Sequence, residues 1–247
     1  MADYDGFADR YDRTADLSPT RVPIEFYSVF KLLGDITGQD WLDVGCGTGI
    51  YTRAMRRRGA RRVVGVDLSP EMVRIANEAE ANEPLGVEYL VRDAAELEEI
   101  APFDGALGAF LLHYSTDRKH LDRMCRGISR NLAPGGRFVT HQLNPEISTA
   151  PGYYRPYGID FRFPAHALKD GDGFTFRFDA PNVDSPEFGI HYWSRPVLDD
   201  ALAAAGFRDI RWVMPELSPQ AAAQPDADRW QDYLDRPICV LIEATRS

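Results

Sequence analysis

Between Trp41 and Gln142 the chain alternates short apolar runs with amphipathic ones, and this alternation limits the fold more than any other feature. "DWLDV", "RRVVGVD", "GVEYLVRD", "FDGALGAFLLH" and "GGRFVTHQ" read as strands. Between them, "GTGIYTRAMRRR", "SPEMVRIANEAEA", the short "AAELEEI" and "STDRKHLDRMCRGISRNL" read as helices. Ser69 followed by Pro70 is a helix start: serine accepts from an early N–H, and proline lacks the N–H that a first turn leaves unpaired. Strands that alternate with helices build a parallel sheet covered on both faces. "SRPVLDDALAAAGF", "RDIRWVM" and "RPICVLIEAT" continue the pattern as one helix and two strands. The expected fold is α/β, a doubly wound and mostly parallel seven-stranded sheet.

Two segments stand outside the alternation. Residues 1–38 read as a helical cap, from "YDGFADRYDR" and "PIEFYSVFKLL", with Gly34 as a stop. Residues 144–193, between the core at 39–143 and its return at 194–247, are rich in aromatics, Pro and Gly. "FTFRF" places Phe174, Phe176 and Phe178 on one strand face, and "FGIHYW" does the same for Phe188, Ile190 and Tyr192. This is the expected lid, inserted after the fifth strand and built partly of strands.

Composition excludes several classes. The net charge of −10 opposes a nucleic-acid partner, because such binding rests on Lys and Arg neutralising phosphates. The run "RRRGARR" reads as a helix C-terminus and a solvated strand start. No apolar stretch approaches the roughly 20 residues of a membrane span, and "MADYDGFADRYDR" has no secretory core. Cys46, Cys125 and Cys239 give neither a disulfide framework nor a zinc pattern. The expectation is a cytoplasmic enzyme, monomer or homodimer, with a small-molecule substrate and no metal.

In sheets of this kind ligands bind beyond the carboxyl ends of the strands. The residues to weigh are therefore Asp43 to Gly49, Asp67, Asp93, Phe110 to Tyr114, and His141 to Asn144. Gly45, Gly47 and Gly49 are spaced G-x-G-x-G, whereas a dinucleotide fingerprint places its third glycine one residue later. A Walker loop is excluded because no Gly-Lys-Ser/Thr follows. Asp67 ends the second strand, where a carboxylate accepts from a ribose diol. Asp93, after the third strand, either accepts from an exocyclic amine or caps the short helix behind it. Leu68 and Met72 are placed to sandwich a base. Asp43 either caps buried amides or orients a ligand amine.

Taken together, "LDVGCGTG", "VVGVDLSPEMV", "VRDAAEL" and "LAPGGRFV" resemble class I S-adenosylmethionine-dependent methyltransferases, over roughly Trp41 to Val139. The resemblance implies S-adenosylmethionine as cofactor and S-adenosylhomocysteine as product. It puts the glycine loop, with Cys46, against the methionine moiety, Asp67 at the ribose and Asp93 near the adenine amine. Ala94, Phe110 and Leu111 join the cofactor set, and Tyr11 matches a residue that closes over the cofactor. "YDGFADRYDR", "KLLGDITGQ", "GAFLLHY", "RPYGIDF" and "AAAGFRDIRWVMPELSP" are similar to a bacterial branch of toxoflavin synthase-like N-methyltransferases. That likeness implies N-methylation of an azapteridine-like heterocycle in secondary metabolism, with a small-molecule O-methyltransferase using a histidine base as the alternative.

His113 and His141 each follow a strand, and the two strands should be neighbours. They are the candidate catalytic pair, since an unperturbed imidazole with a pKa near about 6.5 suits proton transfer at neutral pH. The equal alternative is a hydrogen-bonded loop histidine at each place. Tyr4, Tyr114, Asn144, Tyr157, Phe176, His191 and Trp193 are the candidate substrate contacts, because flat aromatic walls suit a planar molecule.

Overall fold

The computed structural model describes residues 19–179 and 186–247. Among them, ten strands form two sheets. The larger holds β1 (Asp40–Val44), β2 (Arg62–Asp67), β3 (Glu88–Val91), β4 (Phe103–Ala109), β5 (Leu132–Leu143), β9 (Phe207–Val213) and β10 (Cys239–Arg246). Their order is β3-β2-β1-β4-β5-β10-β9. The first five are parallel, and β10 runs antiparallel to both β5 and β9. The order reverses between β1 and β4, which opens a crevice at their carboxyl ends.

The central strands are buried along nearly their whole length, as both-face coverage requires. One layer is cemented by Phe103, Leu121, Met124, Ile128, Phe138, Leu198 and Leu202, under the helices Arg118–Arg130 and Arg195–Ala204. The opposite face carries Val29, Leu33, Trp41, Met55 and Leu241. There the front helix Tyr27–Leu33 docks. Arg137 on β5 holds it by donating to the carbonyls of Leu32 and Leu33 while pairing with Glu243 at 2.6 Å. A guanidinium at a helix C-terminus satisfies carbonyls that have no helical partner.

The expected helix "PIEFYSVFKLL" is split. Arg21–Phe26 form a π-helical turn, in which Glu25 N–H reaches back to the carbonyl of Thr20, and the α-helix begins only at Tyr27. "AAELEEI" shortens to a single 3-10 turn, Ala94–Glu96, because Leu97 already leaves helical geometry. The segment "YDGFADRYDR", with Tyr4 and Tyr11, lies outside the described residues.

The smaller sheet sits in the insertion after β5. Its strands β6 (Ile159–Arg162), β7 (Gly173–Phe178) and β8 (Phe188–His191) are antiparallel. Phe174, Phe176 and Phe178 share a face and pack with Phe161, Phe163 and Phe188. Beside it lie three short turns of helix that the sequence reading did not anticipate: Pro219–Ala222, Ala227–Trp230 and Gln231–Asp235. Tyr153, Tyr154 and Tyr157 each donate their hydroxyl to a carbonyl of this segment, those of Asp232, Arg236 and Arg229.

The arginine run is structural. Arg56 donates to the carbonyls of Leu85 and Ala60, Arg57 pairs with Glu83, Arg58 lies 3.7 Å over the Phe30 ring, and Arg61 pairs with Asp40. No helix among the described residues is long and apolar enough to cross a membrane.

Candidate functional site

A cavity of about 350 Å³ occupies the crevice at the ends of β1, β2 and β4. Gly45, Gly47, Asp67, Leu68, Met72, Asp93, Ala94, Phe110, Leu111 and Tyr114 line it. All three loop glycines have positive φ, from +54° to +87°. At Gly47 an added Cβ would meet no protein atom within 4 Å, so its bare face is open to the cavity. Gly49 is glycine for another reason. A Cβ there would stand 2.3 Å from the Tyr89 hydroxyl, so Gly49 admits Tyr89 to the packing behind the loop.

Asp67 braces this loop. One carboxylate oxygen accepts Gly47 N–H at 2.8 Å and the other accepts Ser69 N–H at 2.9 Å. Ser69 caps the helix Pro70–Asn82 by accepting Met72 N–H. Asp93 accepts Ala95 N–H and so caps its turn, and it also lines the cavity. Asp43 lies buried below the loop and accepts Thr52 Oγ1 at 2.6 Å. Burial pushes its pKa up to about 7, with the charge of Asp67 adding and the Thr52 hydrogen bond opposing.

A second cavity of about 70 Å³ adjoins the first. Phe110 and Tyr114 line both. Its remaining walls come from the insertion (Phe161, Phe176, Phe178, Ile190), from His113, from the ends of β5 and β10, and from Arg21 and Glu25. Phe110 has φ +56°, a left-handed conformation that costs a bulky residue energy and is kept where the surroundings enforce it. Its N–H donates to the carbonyl of His141, which fixes the break from β4.

The methyltransferase-domain family model matches residues 42–136, from within β1 into the first part of β5. An S-adenosylmethionine-dependent methyltransferase from Mesorhizobium loti superposes with a TM-score of 0.63 at 26% identity, over 90% of this chain and 97% of that one. The fold is that of a class I S-adenosylmethionine-dependent methyltransferase. Among curated relatives, a ubiquinone biosynthesis O-methyltransferase from Xanthomonas oryzae pv. oryzae (strain PXO99A) is 34% identical over 112 residues, 44% of this chain. The chain spans 45% of that relative's length. An N-demethylindolmycin N-methyltransferase from Streptomyces griseus is 25% identical over 203 residues, 76% of this chain and 79% of its own.

The cofactor of this methyltransferase fold is S-adenosylmethionine, and the crevice suits it. The open face of Gly47 lets backbone approach a ligand without a side chain between them. Asp67 and Asp93 present carboxylates to the cavity. Leu68, an apolar side chain lining the cavity, is 56% exposed.

Several expected contacts have other work. Cys46 is buried behind the loop, where its thiol donates to the carbonyl of Gly47, and it does not line the cavity. Asn144 donates to the carbonyl of Pro237 and accepts Glu146 N–H, closing the turn after β5. Tyr157 is committed to Arg229 and stacks on Trp230. Trp193 packs in the main core, and His191 lies half-buried on β8. Neither lines either of the two cavities described above.

The two histidines separate. His113 lines the aromatic chamber, while His141 is sealed behind the Phe110 ring at a centroid distance of 4.5 Å. Both ring nitrogens of His141 and Nδ1 of His113 find no hydrogen-bond partner among the described residues. Burial lowers both pKa values to about 3. The expectation of a neutral-pH proton carrier therefore meets a physical obstacle, since desolvation disfavours imidazolium.

Sequence reasoning missed Arg92, Thr116, His120 and Met124, which complete the larger cavity. The rule that loops after strand ends hold ligands could have reached Thr116 and His120. Arg21 and Glu25 gave no signal, because only the docking of the front segment brings them to the chamber.

Proposed function

We propose that the protein transfers the methyl group of S-adenosylmethionine to a nitrogen of a small planar molecule held in the aromatic chamber. The observation that carries this reading is the wall of Phe110 and Tyr114 shared by the two cavities, which brings their contents within reach of one another. The cofactor supplies a methyl group already activated on a sulfonium. The new N–C bond forms as the C–S bond breaks, and the sulfur pair leaves with S-adenosylhomocysteine. The chain's own contribution is alignment, worth on the order of 7–11 kcal/mol, and exclusion of water by an apolar lining.

His113 supports nitrogen over oxygen. An imidazole whose pKa is lowered to about 3 is neutral at pH 7 and a weak base. It accepts or donates a hydrogen bond but does not readily strip a phenol. A pyridine-type ring nitrogen attacks through its in-plane lone pair and carries no proton that a base must remove. The N-methyltransferase relative also matches through the insertion, whereas the O-methyltransferase match covers less than half of the chain. An azapteridine-like heterocycle of bacterial secondary metabolism is the substrate class we favour. Oxygen methylation is the second reading, resting on the identity of the core to the O-methyltransferase relative.

Calorimetric titration with S-adenosylhomocysteine, against NADH and NADPH, tests the cofactor site. Micromolar binding of the thioether alone is expected, and binding of a nicotinamide cofactor instead would overturn the reading. Mass analysis after incubation with S-adenosylmethionine and planar amines or phenols then separates the two acceptor atoms.

A further inference from the structure

At the end of the aromatic chamber contributed by the front segment, two charged side chains line a mostly apolar space. Arg21 and Glu25 are four apart in the π-helical turn, a spacing that sets side chains on one face. Glu25 is 6% exposed, and one of its oxygens accepts Thr20 Oγ1 at 2.6 Å. The Arg21 guanidinium buries Nη1 without a hydrogen-bond partner among the described residues. No ion pair between Arg21 and Glu25 occurs among the described residues' salt bridges. A buried carboxyl group and a partly buried guanidinium with one orphaned nitrogen are costly at one cavity wall unless something satisfies them; burial raises the Glu25 pKa, with the Thr20 hydrogen bond and the Arg21 charge opposing.

The chemistry of that something is narrow. A cationic group placed against Glu25 would face the guanidinium, and an anionic group placed against Arg21 would face the carboxylate. Like charges brought together in an enclosed site are strongly unfavourable. A neutral edge that offers an acceptor and a donor side by side satisfies both. We propose that Arg21 and Glu25 select acceptors bearing a lactam or imide edge, with the guanidinium donating to a ring carbonyl and the carboxylate accepting from the adjacent ring N–H. This deepens the methyltransferase reading above and rests on it. Phe161, Phe176 and Phe178 furnish the chamber's flat walls. The Cys239 thiol also lines the chamber, but burial raises its pKa well above the ordinary value and leaves it inert.

The test uses lumazine, which carries such an edge, and 1,3-dimethyllumazine, in which methyl groups replace both ring N–H donors. Each is titrated calorimetrically at pH 7 into protein saturated with S-adenosylhomocysteine. Lumazine is expected to bind at least tenfold tighter than the dimethyl compound. Glu25→Gln should weaken lumazine about tenfold and leave the dimethyl compound unchanged, while Arg21→Met should weaken both. Thioether affinity, unchanged in both variants, shows that they fold. Equal binding of the two compounds, an unchanged lumazine affinity in either variant, or no lumazine binding to protein that binds the thioether would each overturn the edge reading and spare the cofactor reading. Failure of the wild-type protein to bind the thioether would instead bring down the parent reading, and this inference with it.

Discussion

Replacing His141 by phenylalanine should flatten the acid limb of the stability profile. The imidazole is 1% exposed, and its pKa is lowered to about 3 by burial, with His113 adding a smaller repulsion. In the unfolded chain its pKa returns to about 6.5. Between those values the unfolded state binds the proton and the folded state does not. The sign is therefore fixed: stability falls as pH drops through about 6.5 and continues to fall toward about 3. From pH 7.5 to 5.5 one such histidine removes about 1.4 kcal/mol, or roughly 3–6 °C in Tm for a domain of this size. His113 contributes a loss of the same sign. Asp43, with its pKa raised to about 7, gives the opposite trend, because the folded state takes up a proton that the unfolded state does not. The measurement must therefore be a difference. Urea unfolding of wild type and His141→Phe at pH 7.5 and 5.5 should show wild type losing about 1.4 kcal/mol more than the variant. Phenylalanine keeps a ring against Phe110 and carries no nitrogen to strand. Equal losses in the two proteins would show that His141 is not held neutral by burial.

The remaining predictions concern the cofactor loop and the chamber. Asp67→Ala should weaken S-adenosylhomocysteine by on the order of 1.5–3 kcal/mol, the scale of hydrogen bonds to a charged group; unchanged affinity by calorimetry would remove the ribose assignment. Gly47→Ala should cost tenfold or more in the same titration, since its methyl would stand in the cavity, and should also lower stability by about 1–2 kcal/mol because its φ is +54°. Gly49→Ala should instead lower stability by roughly 1–3 kcal/mol through overpacking against Tyr89, read as an earlier urea midpoint. Phe176→Ala should raise KM for the acceptor while leaving thioether affinity intact, and a changed thioether affinity would place Phe176 in the wrong cavity.

The core of the site was legible because it is local. The strand, glycine loop and helix from Trp41 to Arg57 are contiguous, and the period of the apolar residues announces each element. Ser69 and Pro70 mark a helix start that the structure repeats, with Ser69 accepting Met72 N–H. Asp67, Asp93, Phe110 and Leu111 reach the larger cavity because strand ends in a parallel sheet converge on one crevice. The insertion was harder. Its aromatic spacing gives strand faces, but spacing does not say whether a ring meets a ligand or another ring. Phe176 borders the chamber, while Tyr157 closes on Trp230. The partner segment, Ala227 to Asp235, is polar and too short in its turns to carry a helical period.

The sequence by itself determined the parallel sheet and the crevice at its strand ends, since these follow from periodicity, while the cofactor followed from the resemblance to class I methyltransferases. Only the tertiary structure decided which histidine faces the chamber and which is sealed behind Phe110. It alone drew Arg21 and Glu25 into a site whose other walls lie more than 80 residues away. Burial, and with it the protonation of His113, His141 and Asp43, depends on what the folded chain packs against each group, and no local stretch of sequence contains that information.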